Sequence, residues 1–321
     1  MLRPRCLRAD VKARGTSRRL QRVLVDFGAE ESFARAVQRV REHYGVDVAL
    51  GRLRRHTLAH GAQMSAVKMA PPKAAAAVLL TQMDGSLIPV VTPKAHGPDR
   101  RKGKQLHWRE ARLCLAREKE SATPCYGATL GSVHVAGALW RQTACAAGLG
   151  ERTRVHGVGD GADWLTTQFG EQFGGQGRYL LDFWHVSEYL GAAAAVIQPG
   201  QTQTWRRRQQ GRLLENNSRA VLRALAPHVE PEKQEGAPVR AAVRYLGGRL
   251  EQLDYAGARR DRLPIGSGEV ESGHRHVIQQ RLKLAGCWWK ENNAEAMLGL
   301  RVARANQLWN SYWNHPKPTL L

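Results

Sequence analysis

The sequence predicts an α/β protein in which helical segments flank a central sheet-forming region. Short apolar runs typical of strands occur between residues 74 and 190, where they alternate with stretches of helical periodicity. Residues 1–70 and 191–262 are helical in pattern and lack strand-like alternation. At 321 residues the chain can bury a substantial core, so we expect one large domain with an insertion, or two domains.

The first segment, residues 1–70, predicts a small helical module. Apolar residues recur at helical spacing in its middle part, at Phe33, Val37, Val40 and Tyr44. A break at 45–48 separates them from a second helical run over 49–58. This outline is typical of a helix-turn-helix, whose second helix would offer the DNA contacts Arg52, Arg54 and Arg55. A plain helical hairpin packed on the main domain fits the same pattern.

A proline pair, Pro71-Pro72, marks a boundary before the first strands. Residues 78–83 are typical of a strand, the Asp-Gly pair at Asp84 of a tight turn, and 87–91 of a returning strand. We therefore expect a β-hairpin with Asp84 at its tip. The basic stretch 93–104 that follows is expected to be a mobile loop.

The remainder of the 74–190 region alternates strands with helices. We expect a third strand over 108–117, a helix over 133–149, a strand over 154–160, a helix over 162–173 and a strand over 178–183. Three strands, helix, strand, helix, strand is the order of a ribonuclease H-like core, in which acidic side chains gather at one edge of the sheet.

Residues 191–262 predict a helical insertion that interrupts this core. The insertion carries a basic patch that could contact DNA, at Arg206, Arg207 and Arg208. Residues 263–321 predict C-terminal helices, over 270–283 and 292–313, that complete the core.

The charge of the chain indicates a polyanionic partner. Lys and Arg number 49 against 28 Asp and Glu, which gives a formal net charge of +21. Neutralisation of phosphates with release of counterions rewards such a surface. We therefore expect a nucleic acid as the partner, with a basic protein of another role as the alternative.

The cysteines and the apolar segments argue against several other classes of protein. Five widely spaced cysteines offer neither zinc-ligand spacing nor a disulfide framework. No continuous apolar stretch follows the basic N-terminal residues, as it would in a secretory signal, and the alanine-rich stretches are too short to cross a bilayer. We expect a cytoplasmic, nucleoid-associated protein with reduced thiols.

Three acidic residues stand where strands or glycine-rich turns are expected to end, namely Asp84, Asp160 and Glu271. Carboxylates brought together from separate elements are how proteins hold the two Mg²⁺ ions that cut phosphodiesters. Each Mg²⁺ takes about one or two carboxylates, so a two-ion site needs about three or four acids. Taken singly, Asp84 is explained as a turn residue and Asp160 as a helix cap. Their conjunction favours a metal site.

Glu269 competes with Glu271 for the third position. If Ser267 caps the helix, Glu269 lies where the helix dipole alone favours a carboxylate. Two residues on a helix are about 200° apart, so only one of the pair can face the metals. Glu271 is preferred because its face mixes polar groups for a site with apolar anchors, at His274, Arg275, Ile278 and Leu282.

Several longer motifs surround these acids. They are Asp84-Gly85, Gly159-Asp160-Gly161-Ala162-Asp163-Trp164-Leu165, Leu181-Asp182-Phe183-Trp184-His185-Val186-Ser187-Glu188-Tyr189-Leu190, Leu263-Pro264-Ile265-Gly266-Ser267-Gly268-Glu269-Val270-Glu271-Ser272 and Gly286-Cys287-Trp288-Trp289. Together they resemble the ISKra-type insertion-sequence transposases, related to the Mutator-like group, over residues 75–315.

The resemblance implies a DDE transposase with a ribonuclease H-like core. Asp84, Asp160 and Glu271 fall on the family's three catalytic positions and would bind two Mg²⁺ ions, for which Mn²⁺ can substitute. It further implies DNA cleavage at element ends with strand transfer, terminal inverted repeats and target DNA as partners, and a homo-oligomer on DNA. A structure-selective nuclease or resolvase and a non-catalytic DNA-binding remnant are the alternatives.

Asp182 and His185 match an Asp/Cys-x-x-His motif that follows the second catalytic aspartate in related DDE transposases. The His185 side chain could orient a scissile phosphate or support a metal ligand, or it could hold the following helix. Further phosphate contacts are expected near the third acid, at Arg275, Arg281 and Lys283. A solvated basic face explains each of these three equally well.

Overall fold

The structure is a computed structural model that describes residues 15–67, 69, 72, 74–93 and 103–314. The predicted boundary at Pro71 and most of the predicted loop over 93–104 lie outside the described residues. Within the described ranges, no helix combines the length and the apolar character needed to cross a membrane.

Three helices form the N-terminal module, namely α1 (Arg18–Glu30), α2 (Phe33–Tyr44) and α3 (Leu50–Met64). The predicted break between the second and third helices is confirmed, because Gly45 ends α2 in the left-handed conformation with φ at 63°. The Ser17 and Ser32 hydroxyls cap α1 and α2. The helices enclose a small apolar core of Leu24, Ala36, Val40, Val48 and Leu53.

A five-stranded mixed sheet forms the centre of the molecule. Its strands are β1 (Val78–Thr92), β2 (Gln105–Glu118), β3 (Cys125–Thr129), β4 (Arg154–Gly159) and β5 (Gly177–Leu181). The order across the sheet is β3-β2-β1-β4-β5; β1 to β3 are antiparallel neighbours, while β4 and β5 run parallel to β1. The predicted α/β class is confirmed, and this sheet is compatible with a ribonuclease H-like core.

The predicted hairpin at Asp84 is wrong. β1 is one strand of 15 residues that runs through the Asp-Gly pair and bonds to β2 on both sides of it, with Asp84 opposite Leu113. The local turn signal is overridden because β2 supplies backbone partners along the whole strand. Gly85 serves close approach instead of a turn, since a Cβ there would clash with Glu110 Oε1. Asp84 therefore lies inside a strand and not at its end.

The other predicted elements of the core are confirmed, with bounds that differ by a few residues and a longer β2. The helices are α4 (Val133–Ala146) and α5 (Asp163–Phe173), and both pack on one face of the sheet around Trp140. Strand β3 escapes sequence prediction because its five residues include Gly127 and Ala128 and carry little apolar alternation.

The segment predicted as an insertion, residues 191–262, is helical and packs beside β5 together with the helix that precedes it. The helices of this region are α6 (Phe183–Ile197), α7 (Thr202–Leu214), α8 (Ser218–Leu225), α9 (Pro238–Gly247) and α10 (Tyr255–Arg260). Their apolar faces form a second core that includes Leu213 and Leu246 and reaches Leu181 in β5. The insertion is therefore anchored on the sheet.

A helix over 268–282 follows and changes pitch along its length. It comprises α11 (Gly268–Gly273), a π-helical turn (His274–Gln279) and α12 (Gln280–Leu282). With α13 (Glu291–Ala305) and α14 (Trp309–Asn314) it covers the face of β1 and β2 that lies opposite α4. The predicted single helix over 292–313 is broken at Gln307, where φ is 59°.

Helix α3 approaches α13 closely through glycines. A Cβ on Gly61 would clash with the backbone carbonyl of Ala296, and a Cβ on Gly299 would clash with Ser65 Oγ. The two helices therefore meet with little side-chain material between them, which joins the N-terminal module to the helices over the sheet.

We expect Gly61→Ala to destabilise the protein although alanine is the better helix former. The new methyl group meets a backbone carbonyl, and overpacking of this kind typically costs about 1–3 kcal/mol. Gly51→Ala is the matched control, since this glycine lies on the same helix with no atom near its missing Cβ. That variant should gain about 0.5–1 kcal/mol from helix propensity. Urea unfolding of both variants gives the free energies, and equal stabilisation would contradict the close packing.

Candidate active site

Asp84 and Asp160 lie at the same level of two neighbouring parallel strands. The last paired residues of β1 and β4 are Thr81 and Gly157. Asp84 lies three residues after Thr81, and Asp160 lies three residues after Gly157. Asp160 comes directly after the end of β4, whereas β1 continues past Asp84 as the partner of β2. The two carboxylates thus share the edge at which the parallel part of the sheet ends.

The shift in the pKa of Asp84 shows which acidic residues lie near it. The pKa of Asp84 is raised to about 6, mainly by burial, and the Gly85 N–H, which donates to Asp84 Oδ1 at 2.7 Å, opposes this rise. The carboxylates of Asp160, Glu110 and Glu271 raise the pKa further. All three predicted acids therefore belong to one electrostatic cluster around Asp84, to which Glu110 is added.

Sequence reasoning missed Glu110. This residue lies on β2. Its carboxylate pairs with Arg112 and occupies the space that a side chain at position 85 would need. The Asp-Gly pair contained a usable signal, because a glycine inside a strand often marks the close approach of another group. That signal is readable only once the pair is known to lie within a strand.

Buried Gln82 attaches the segment before Glu271 to β1. Its Oε1 accepts the Val270 N–H at 2.9 Å, and its Nε2 donates to the Gly266 carbonyl at 3.3 Å. Gln82 stands two residues before Asp84 and therefore points to the same face of the strand. This amide sets the start of the 268–282 helix against the strand that carries Asp84.

Asp182 attaches the same segment to the end of β5. Its Oδ2 accepts the Ser267 N–H at 2.6 Å and the Ser267 hydroxyl at 2.5 Å, while Oδ1 caps α6 by accepting the N–H groups of Trp184 and His185. Both oxygens are used in these bonds, and the residue is buried. The structure therefore places Asp182 as a link between α6 and the glycine-rich segment.

Two further bonds hold the segment at β4 and α6. The Phe183 N–H donates to the Ile265 carbonyl at 2.9 Å, and His156 Nε2 lies 2.8 Å from the Pro264 carbonyl. Because of these contacts, the chain before Glu271 is bonded to residues on β1, on β4 and directly after β5. These bonds place the segment that leads to Glu271 at the edge of the sheet, although it lies far along the sequence from Asp84 and Asp160.

Glu269 and Glu271 have different surroundings. Glu269 bonds to Arg117 at 2.7–2.8 Å and contributes to the raised pKa of Tyr126. Glu271 is exposed and contributes to the raised pKa of Asp84. Its side chain makes no hydrogen bond or ion pair to any described residue. This arrangement favours Glu271 over Glu269 as the third member of the cluster.

The loop that carries Asp160 is supported by the helical insertion. The Tyr245 hydroxyl donates to the Asp160 carbonyl at 2.5 Å, and Arg249 Nε donates to the Gly161 carbonyl at 3.1 Å. Gly161 has φ at 75°, a conformation that side chains disfavour. Within the loop, the Ala162 N–H donates to Asp160 Oδ1 at 2.9 Å. The insertion therefore fixes the backbone of the second acid.

His185 lies away from the carboxylates among aromatic rings. Its ring packs edge-on against Tyr189 and Tyr245, and Nδ1 lies 3.4 Å from Glu188 Oε2. These contacts are those of a residue that supports α6 and α9. The structure shows no contact between His185 and the acids of the described cluster.

His274, by contrast, lies directly beside Asp84. Its Nε2 is 3.5 Å from Asp84 Oδ2, and the residue is only 3% exposed. Burial lowers the pKa of His274 to about 4; the Asp84 backbone opposes this shift, and the charge of Lys283 adds to it. The sequence placed His274 on the same face as Glu271 but gave it no role.

The acidic side chains of this cluster can be compared with the ligands that a divalent cation requires. Among the described residues, no three His, Cys, Asp or Glu side chains stand close enough together to hold a metal ion as they lie. The chemistry nevertheless fits, because Mg²⁺ prefers carboxylate oxygens and a cation would relieve the repulsion within the cluster. Asp84 and Asp160 each bind a backbone N–H through Oδ1. Their second oxygens and the free Glu271 carboxylate are the groups that would hold the ion.

The predicted DNA contacts fall into two groups. Exposed residues lie on α3, on α7 and beside the acids, at Arg52, Arg54, Arg55, Arg207, Arg208, Arg275 and Lys283, with Arg206 half-buried. The predicted phosphate contact at Arg281 is corrected, because this residue is buried and only 1% exposed. Its guanidinium lies 4.7 Å from the Phe33 ring and 4.8 Å from the Trp289 ring, and Nε donates to the Gly28 carbonyl. It joins the N-terminal module to the core and is inaccessible to a phosphate.

Comparison with known proteins adds no relative. No protein-family model matches the chain, and no curated protein matches it. The interpretation of the site therefore depends on its residues and their arrangement.

We expect Asp84→Asn to stabilise the metal-free protein at neutral pH. The folded state raises the pKa of Asp84 from 3.8 to about 6, so the ionised form weakens folding at any pH above that range. Because the side chain is 45% exposed, solvent screening reduces the gain to about 1 kcal/mol. The gain should disappear as the pH falls through 6 towards 3.8, where the wild-type carboxyl is protonated.

Thermal unfolding in chelator-treated buffer across this pH range is the measurement. Asp47→Asn is the control, because that side chain is 84% exposed and remote from the cluster. A loss of stability in Asp84→Asn at neutral pH would show that the carboxylates do not repel one another.

Proposed function

We propose that this chain is a DDE-type transposase that cleaves DNA at the ends of a mobile element and transfers the freed strands to target DNA. The observation that carries the proposal is the meeting of Asp84, Asp160 and Glu271 at one edge of a mixed sheet. These acids come from two neighbouring strands and a distant helix. They are also the residues that the resemblance assigns to catalysis.

The chain's contribution is to place oxygen donors and to keep them in place. Asp84 is fixed by its strand, Asp160 by Tyr245 and Arg249, and Glu271 by the bonds of Gln82 and Asp182 to its segment. When bound, Mg²⁺ or Mn²⁺ would activate the attacking oxygen and stabilise the leaving 3′ oxygen. Such preorganisation reduces the reorganisation that the reaction would otherwise require.

The exposed cations support a DNA substrate. Arg275 and Lys283 lie on and just after the helix that carries Glu271, so they are available to phosphates next to the acids. Arg52, Arg54 and Arg55 project from α3, which is joined to α13, and extend the basic surface away from the site. With a net charge of +21, such a surface favours binding to the terminal inverted repeats and to target DNA, as a homo-oligomer.

The test uses labelled DNA fragments that flank the coding sequence of this chain, incubated with the protein and Mg²⁺ or Mn²⁺. Joined products support the transposase. Cleavage without joining would replace it by a nuclease or resolvase, and a mobility shift with neither product would leave a DNA-binding remnant.

Asp160→Asn should abolish cleavage and strand transfer, with a loss of at least about 100-fold in rate, because one donor of the cluster loses its charge. The affinity for DNA should stay within about twofold, since the phosphates are bound by cations elsewhere. Product formation and a fluorescence-anisotropy titration measure the two quantities separately. A variant with normal turnover would remove Asp160 from the mechanism.

Glu271→Gln and Glu269→Gln form a matched pair two residues apart. We expect the first to lose activity as severely as Asp160→Asn, because the Glu271 carboxylate lies near enough to raise the pKa of Asp84. The second should keep cleavage within about threefold while losing roughly 1 kcal/mol of stability, because Glu269 serves an ion pair with Arg117. Cleavage rates and unfolding midpoints of both proteins are compared, and the reverse ranking would assign the third position to Glu269.

A further inference from the structure

His274 is a buried polar residue whose ring nitrogens lack a well-formed hydrogen bond. It is 3% exposed, and neither ring nitrogen makes a hydrogen bond of acceptable geometry within the described part of the chain. A buried polar group in that condition normally costs free energy, and nearly all such groups in proteins find a partner. The unpaired imidazole therefore requires an explanation.

The position of His274 connects it with the cluster. Its Nε2 lies 3.5 Å from Asp84 Oδ2, on the inner side of the cluster. The residue follows Glu271 by three positions, and residues at that spacing project from the same face of a helix. The Glu-x-x-His pattern on one helix is a known way to offer a metal one oxygen and one nitrogen donor.

The helix itself is altered at this residue. His274 is the first residue of the π-helical turn that interrupts the 268–282 helix. Turns of this kind are rare and are found frequently at functional sites. Just before it, a Cβ on Gly273 would come within 2.9 Å of a Leu113 methyl group, so the helix lies close on β2. The local geometry brings the imidazole against the strands.

The groups around His274 leave its ring nitrogens without a strong bond. The 3.5 Å separation between His274 Nε2 and Asp84 Oδ2 is too long for a strong hydrogen bond. The Asp84 backbone also lies near the ring, but neither nitrogen makes a hydrogen bond of acceptable geometry to a described residue. An imidazole nitrogen in this condition is available to a metal ion.

We propose that His274 is a nitrogen ligand of the cation held by Asp84 and Glu271. The inference rests on the proposed function, because it presupposes that the cluster binds a divalent ion. It adds a preference to that site, since imidazole nitrogen suits transition metals, whereas Mg²⁺ is bound mainly by oxygen. The site should therefore bind Mn²⁺ more tightly than Mg²⁺.

Pulsed electron paramagnetic resonance of the full chain with Mn²⁺ tests this directly. We expect bound Mn²⁺ to show the modulation of a directly coordinated nitrogen, and the pattern should change when the protein contains histidine enriched in the heavy nitrogen isotope. This comparison uses the wild-type chain alone, so it does not depend on how a variant folds.

His274→Gln should remove the nitrogen signal and weaken Mn²⁺ binding by at least about tenfold, with less effect on Mg²⁺. His276→Gln is the matched control, because that ring lies on the same helical turn and is bonded to the Ser272 carbonyl. It should leave the signal and the affinity unchanged.

Bound Mn²⁺ without nitrogen modulation would overturn the assignment, as would modulation that survives in His274→Gln. In either case DNA cleavage supported by Mg²⁺ would still uphold the proposed function, so the two failures are distinguishable. A chain that binds no Mn²⁺ would overturn both the ligand and the metal-dependent mechanism.

Discussion

The arrangement of the site depends on one constraint: the segment before Glu271 has to be bonded across the edge of the sheet. Gln82 and Asp182 accomplish this from opposite sides, each by bonding backbone groups of residues 266–270. Both side chains are buried, where hydrogen bonds are strong and unpaired groups are costly. Glu271 therefore owes its place to the side chains of Gln82 and Asp182, which bond the segment before it.

The same edge concentrates negative charge that the fold does not neutralise. Arg112 and Arg117 are bound to Glu110 and Glu269, respectively. Among the described residues, Asp84, Asp160 and Glu271 have no cationic partner; His274 beside Asp84 is neutral. Such an arrangement weakens the folded state, and the weakness is typical of sites that are complete only with a ligand. The apolar cores on the two faces of the sheet and in the insertion supply the stability that permits it.

Sequence patterns predicted the helices and the parallel strands well, because periodicity reports local burial directly. They failed at Asp84, where the turn preference of an Asp-Gly pair gave way to pairing with a partner strand that no local signal reveals. The sequence singled out Asp160 and Glu271 because glycine-rich motifs surround them. Gln82, Glu110, His274 and buried Arg281 were missed or misassigned because a polar residue acquires its role only from tertiary neighbours.

Arg281 has a consequence for how the N-terminal module is joined to the core. Its guanidinium is enclosed between Phe33 of the N-terminal module and Trp289 of the core, and the glycine contact of α3 with α13 reinforces the junction. Within the described residues, these contacts fix the exposed arginines of α3 at a defined offset from Asp84, so the two basic and acidic surfaces keep their spacing for as long as the buried guanidinium stays between its two rings.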